Sequence, residues 1–107
     1  MARLVSATLG LMTEGRSAFE RGDFFVAHEK WEAVWLEAEG PMRLWLQGLI
    51  QVAAGLDQLA RGRVAPAETL LARARAKLAD AGPIEGIDVA SVRALAEETL
   101  GRIERNR

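Results

Sequence analysis

The stretch Gly22-Asp23-Phe24-Phe25-Val26-Ala27-His28-Glu29-Lys30-Trp31-Glu32-Ala33-Val34-Trp35 opens with a helix stop, follows it with a helix start, and then spaces its apolar residues helically. Glycine suits a left-handed helix cap because it has no Cβ to clash there. Asp23, directly after it, is a favoured N-cap residue. Phe24, Ala27, His28, Trp31, Val34 and Trp35 then fall on one side of a helix. The run predicts a helix from Phe24 to Glu39, reached from a preceding helix through a tight turn. It holds the one histidine of the chain. Ionisable groups on a core-facing stripe need a partner, a ligand or a catalytic task.

Every other long segment also reads at helical period, and none alternates cleanly at period two. The first helix is expected from Arg3 to Arg21, with a stripe of Leu4, Thr8, Leu11, Met12, Gly15 and Phe19. After Gly40-Pro41, a third helix runs from Met42 to Arg61. It is apolar almost all round (Leu44, Trp45, Leu46, Leu49, Ile50, Val52, Leu56, Leu59), which marks a central helix. Gly62 ends it. A fourth follows from Pro66 to Asp80, with Ala67, Leu70, Leu71, Ala74 and Leu78 inward, and Ala81-Gly82-Pro83 stops it. A short loop, Ile84 to Ile87, leads to Asp88 as N-cap of a fifth helix, Val89 to Arg105. Its stripe is Val92, Leu95, Ala96, Thr99, Leu100 and Ile103.

These segments predict an all-α, single-domain, five-helix compact bundle over residues 1–107: two helical hairpins and a closing C-terminal helix. Ala18-Phe19-Glu20-Arg21-Gly22-Asp23 with Ala27 is echoed forty residues later by Gln58-Leu59-Ala60-Arg61-Gly62-Arg63 with Ala67. Both read as helix, tight turn, helix, with a small residue where the helices cross. The pattern resembles tetratricopeptide-like hairpin stacking. The repeat is longer than that family's, which is about 34 residues, and several signature positions are missing.

A chain of 107 residues with 50% hydrophobic and 27% charged side chains is ordinary globular material. It has no cysteine, so disulfides, zinc-thiolate centres and thiol nucleophiles are excluded. No apolar run approaches a membrane span, and no apolar core with a cleavage site follows Arg3. A cytoplasmic protein is the expectation. The net charge of -1 gives no general attraction to nucleic acid or membrane. Residues 1–40 carry four Lys/Arg against seven Asp/Glu, and residues 41–107 carry ten against eight. Arg61, Arg63, Arg73, Arg75 and Lys77 form a local basic cluster, read as a solvated helix face. Nucleic-acid binding through it is disfavoured, since no aromatic lies beyond Leu46 to stack on bases.

Chemistry concentrates at His28 and Glu32, one helical turn apart and facing the same way. An imidazole and a carboxylate at that spacing can hydrogen-bond to each other or share a metal ion. His-Glu-x-x-Glu lacks the second histidine of the zincin string, and a catalytic zinc site wants three protein ligands. A metal site here would be carboxylate-rich and suit manganese, magnesium or iron. The expectation is no cofactor, with His28 and Glu32 as weak divalent-metal candidates. Gln47 and Gln51, with Arg43 one turn earlier, are the main polar breaks in the third helix. A buried network of His28, Glu32, Gln47 and Gln51, joined by Arg43 and with Glu29 near, would satisfy these groups together. It either fixes the second helix on the third or lines a polar pocket walled by Phe24, Trp31, Trp35, Trp45 and Gly48. Gly48 and Gly55 inside a helix each cost up to ~1 kcal/mol against alanine, which points to close approach of another chain segment. No serine sits in a nucleophile elbow, and no phosphate-binding glycine fingerprint is present.

The quoted run, together with Leu46-Gln47-Gly48-Leu49-Ile50-Gln51, resembles the small bacterial and archaeal family called domain of unknown function 309. That family's pattern is a glycine, an aromatic pair, Ala-His-Glu, then Leu or Trp, Glu and Trp, with Leu-Gln-Gly-x-Ile-Gln on the next helix. The resemblance implies a small helical, cytosolic protein and no established activity. The motif positions carried over are His28, Glu29, Glu32, Trp35, Gln47, Gly48 and Gln51. Trp31 stands where leucine is common. Two functions are therefore expected in competition. One is a non-enzymatic interaction or scaffold module that binds a protein partner or self-associates. The other is a small metal-dependent or acid–base hydrolase using His28 and Glu32.

Overall fold

The computed structural model describes residues 6–107 and contains five α-helices among them. They are α1 (Ser6–Glu20), α2 (Phe24–Trp35), α3 (Gly40–Ala60), α4 (Val64–Leu78) and α5 (Val89–Arg105). The expected Leu4 of the first stripe lies outside the described residues. Each helix packs chiefly on its neighbours in sequence, and α5 also touches α3. The long, apolar α3 therefore sits centrally between α2 and α4, as its composition predicts. One core of Met12, Trp31, Leu46, Leu49, Val52, Leu71 and Leu78, all fully buried, runs through the layers. Leu44 departs from the expected stripe and stays exposed.

The echo at forty residues is a structural repeat of the turn. Gly22 and Gly62 adopt φ +83° and +78°. Asp23 N–H donates to Ala18 O at 2.8 Å, and Arg63 N–H donates to Gln58 O at 2.9 Å. Both are the six-to-one bond of a Schellman cap, which needs a left-handed residue and so a glycine. Ala27 and Ala67, at matching positions, are both fully buried. The repeat extends into the packing. A Cβ on Gly15 would meet Trp31 Nε1 at 2.3 Å, and one on Gly55 would meet Leu71 Cγ at 2.9 Å. Each hairpin thus seats a large side chain of its second helix in a glycine notch of its first, and the two pairs are forty residues apart. Gly48 adds a second notch, where Leu78 sits.

Several helix boundaries differ from the sequence expectation. α2 ends at Trp35, not Glu39. The chain tightens there into turns, with Glu37 N–H on Val34 O and Ala38 N–H on Trp35 O. Arg43 holds this turn, donating to Trp35 O at 3.0 Å and Ala38 O at 3.3 Å. α3 begins two residues early, at Gly40, with Pro41 in its first turn. α4 begins at Val64, because Pro66 has no N–H to lose in a first turn, and stops at Leu78. Asp23 occupies the N-cap position of α2 but makes no side-chain cap, whereas Asp88 caps α5 through Ser91 N–H at 3.2 Å. The Ile84–Ile87 loop buries Ile84, and Gly86 lies against Leu9 and Met12 of α1, so the loop ties α5 back to the first hairpin.

Candidate functional site

His28 and Glu32 come together on α2, with Nε2 3.5 Å from a Glu32 oxygen. They do so on a solvent-facing flank, with side chains 29% and 50% exposed. His28 Nδ1 is buried and has no hydrogen-bond partner, and Phe25 stacks on the ring at 6.3 Å between centroids. The facing residues on α3 are Ala54, Asp57 and Gln58, around a small notch of about 160 Å³. Asp57 is engaged by Arg61 at 3.0 Å. Glu29 is exposed.

The other expected members are dispersed. Gln51 accepts from Lys77 Nζ at 3.0 Å, so it serves the α3–α4 seam and not His28. The stripe Gln47, Gln51, Ala54, Gln58 runs along one face of α3. At the level of Ala54 and Gln58 that face meets α2, but at Gln51 the partner is a lysine from α4. Gln47 is half-buried. Arg43 lies over the Trp35 ring at 3.9 Å and caps α2, and so belongs to the helix end. Trp31 turns the opposite way, donates from Nε1 to Met12 O at 3.3 Å and packs on Phe19. Trp45 lies by Gly82, and Gly48 is filled by Leu78. The single buried polar network is thus replaced by three separate contacts, and the tryptophans do not enclose one pocket. Among the described residues, no three His, Cys, Asp or Glu side chains are grouped to hold a metal ion.

Of the expected wall residues, Phe24 does line a cavity, one helical turn before His28 on α2 and apart from the His28 notch. Two cavities of about 540 Å³ each meet at Phe24 and Leu95 and form one groove along α5. The first lies between the α1–α2 turn (Phe19, Glu20, Gly22) and the start of α5 (Ile87, Asp88, Ser91). The second lies between the α3–α4 turn (Leu56, Leu59, Val64) and the end of α5 (Thr99, Arg102, Ile103). Val64 on its rim is a large apolar residue left 48% exposed. Of the α5 residues that line it, Leu95 is partly exposed, while Val92, Thr99 and Ile103 are buried beneath it. The charged groups are unequally divided. Arg16, Glu20 and Asp88 line the first cavity, with Arg16 3.5 Å from Glu20. Only Arg102 and Arg107 line the second. Asp88 is held below the usual carboxylate range by the Ser91 hydroxyl, which donates at 2.7 Å, and then by the Ser91 amide.

Leu95, Thr99 and Ile103 face inward on α5 as the sequence predicts; Thr99 and Ile103 are buried and Leu95 packs against the core, and their groove-side surface is not marked in the sequence. The signal for a groove was the exposed Val64 at a helix start, which a boundary placed at Pro66 hid.

The fold and its surface define a two-hairpin helical protein with an open apolar groove and no enclosed polar centre among the described residues. Residues 12–70 match the family model described as "Domain of unknown function (DUF309)", and the chain belongs to that family. It is 30% identical over 102 residues to an uncharacterized protein of Aquifex aeolicus (strain VF5), covering 94% of this chain and 31% of that protein. The chain therefore spans about a third of the length of the curated relative it matches. No solved structure matches it. No described helix is long and apolar enough to cross a membrane.

Proposed function

We propose that the protein is a non-enzymatic interaction module, built from stacked tetratricopeptide-like hairpins, that takes up a helix of a partner protein in the groove along α5. The observation that carries this reading is the pair of largely apolar cavities that share Phe24 and Leu95 along α5, with the exposed Val64 on the rim. Apolar surface left open between helices is the receiving half of helix-in-groove recognition. The described residues offer no sheet edge to a partner strand, so side-chain burial has to supply the affinity. The repeated turns support the reading: Gly22 of the first lines one cavity, and Leu59 and Val64, on either side of the second, line the other.

Selection of a displayed library of amphipathic helices on the purified protein tests this. Recovered peptides should lose binding to Val64→Glu, a surface change that leaves the core intact. They should keep it with Phe25→Ala, which lies beside His28 and outside the lining of both cavities. Peptides that bind Val64→Glu undiminished, or no recovery at all, would overturn the groove as the site.

A further inference from the structure

Resting on that reading, we infer that the helix taken up carries carboxylates at one end, and that Arg102 of α5 selects them. The two halves of the groove differ in charge. In the first half the acid and base are already paired, Arg16 with Glu20, and Asp88 is occupied by Ser91. In the second half the lining holds two arginine side chains and no Asp or Glu side chain. Arg107 is engaged by Glu68 of α4. Arg102 is left with Glu98, one turn back on the exposed side of α5, at 3.9 Å. Its guanidinium therefore has donors free at the mouth of a cavity floored by Leu56, Leu59 and Ile103.

A carboxylate arriving there with a helix is partly removed from water, where a charge pair discriminates between partners more strongly than on open surface. An arginine fork also matches a carboxylate with two parallel hydrogen bonds. The apolar channel and the cation are separated along α5. From Asp88 to Arg102 the helix rises roughly 20 Å, so the occupant is a helix of about four turns, at about 1.5 Å per residue. It presents Leu, Ile or Phe to the channel and Asp or Glu to its Arg102 end. A basic end there would face Arg102 without compensation.

The test uses one helical peptide recovered on the groove, made in three versions whose end turn carries two Glu, two Gln or two Lys. Fluorescence anisotropy with the full chain measures each Kd. The Glu version should bind at least about tenfold tighter than the Lys version, a difference of ~1.4 kcal/mol or more. The order should reverse in Arg102→Glu and collapse in Arg102→Gln, with added salt narrowing the gap. Equal affinities for the three, or an order unchanged by Arg102→Glu, would overturn the charge assignment and leave the groove standing. Loss of all three peptides' binding in Arg102→Gln, with helicity retained, would show Arg102 packing and not charge, and would also overturn it. Binding of all three undiminished by Val64→Glu would remove the groove itself.

Discussion

Replacing Gly15 with alanine puts one methyl group where the indole of Trp31 lies. The added carbon would stand 2.3 Å from Nε1 and 2.6 Å from Cδ1 of a side chain with no exposed surface. Trp31 cannot yield outward, because Phe19 packs on its ring at 5.5 Å between centroids. Overpacking of this kind costs about 1–3 kcal/mol. Displacing the ring also breaks the Nε1 bond to Met12 O and strands a buried donor, at about 1–3 kcal/mol. Alanine returns about 1 kcal/mol of helix propensity. The net expectation is a loss of roughly 3 kcal/mol, a large part of the stability of a domain this size. Gly10, on the same helix with nothing within 4 Å of its would-be Cβ, is the control. Gly10→Ala should gain about 0.5–1 kcal/mol. Urea unfolding followed by tryptophan fluorescence reads both, and Trp31→Leu in the Gly15→Ala background should recover part of the loss. A Gly15→Ala protein as stable as Gly10→Ala would refute the notch.

The same logic in the second hairpin makes Gly55→Ala destabilising by about 1–2 kcal/mol in chemical denaturation, since Leu71 and the Ala67 carbonyl both crowd the site. Arg43→Ala should cost about 1 kcal/mol by losing its stacking on Trp35 and two carbonyl bonds, and Arg43→Lys should recover little of it. His28→Ala should change stability by less than about 1 kcal/mol, because its neighbour Glu32 is half exposed; a larger loss in the same assay would restore it as a structural hub. Asp88 titrates below its unfolded value, so its contribution is full above about pH 4 and is lost as pH falls through its folded-state value. Asp88→Asn should therefore flatten the acid limb of stability against pH, measured by thermal unfolding from neutral to acid conditions.

The fold was legible in the sequence because helix punctuation and periodicity are local. Gly22-Asp23 and Gly62-Arg63 marked both turns, and the all-apolar third helix announced its central place. Gly48 and Gly55 were readable as close-approach sites, though which residues fill them was not. The His28 face was legible only as a pair. Spacing puts Glu32 beside His28, but whether Gln51 turns to α2 or to Lys77 depends on which helix flanks it, and that is tertiary. Trp31 and Trp35, four residues apart, diverge because a notch at Gly15 draws one inward while Arg43 covers the other. The groove was invisible for a similar reason. A stripe of Val92, Leu95, Thr99 and Ile103 looks identical whether a neighbouring helix covers all of it or part of it.

The central claim is that partners bind along α5 and not at the His28 flank. Backbone amide chemical-shift mapping of the labelled protein with a recovered helical peptide tests it most directly. The account predicts shifts clustered at Phe24, Leu59, Val64, Leu95, Thr99 and Arg102, with Phe25, His28 and Glu32 unmoved. Shifts centred on Phe25, His28, Glu32 and Asp57, with the groove silent, would contradict it.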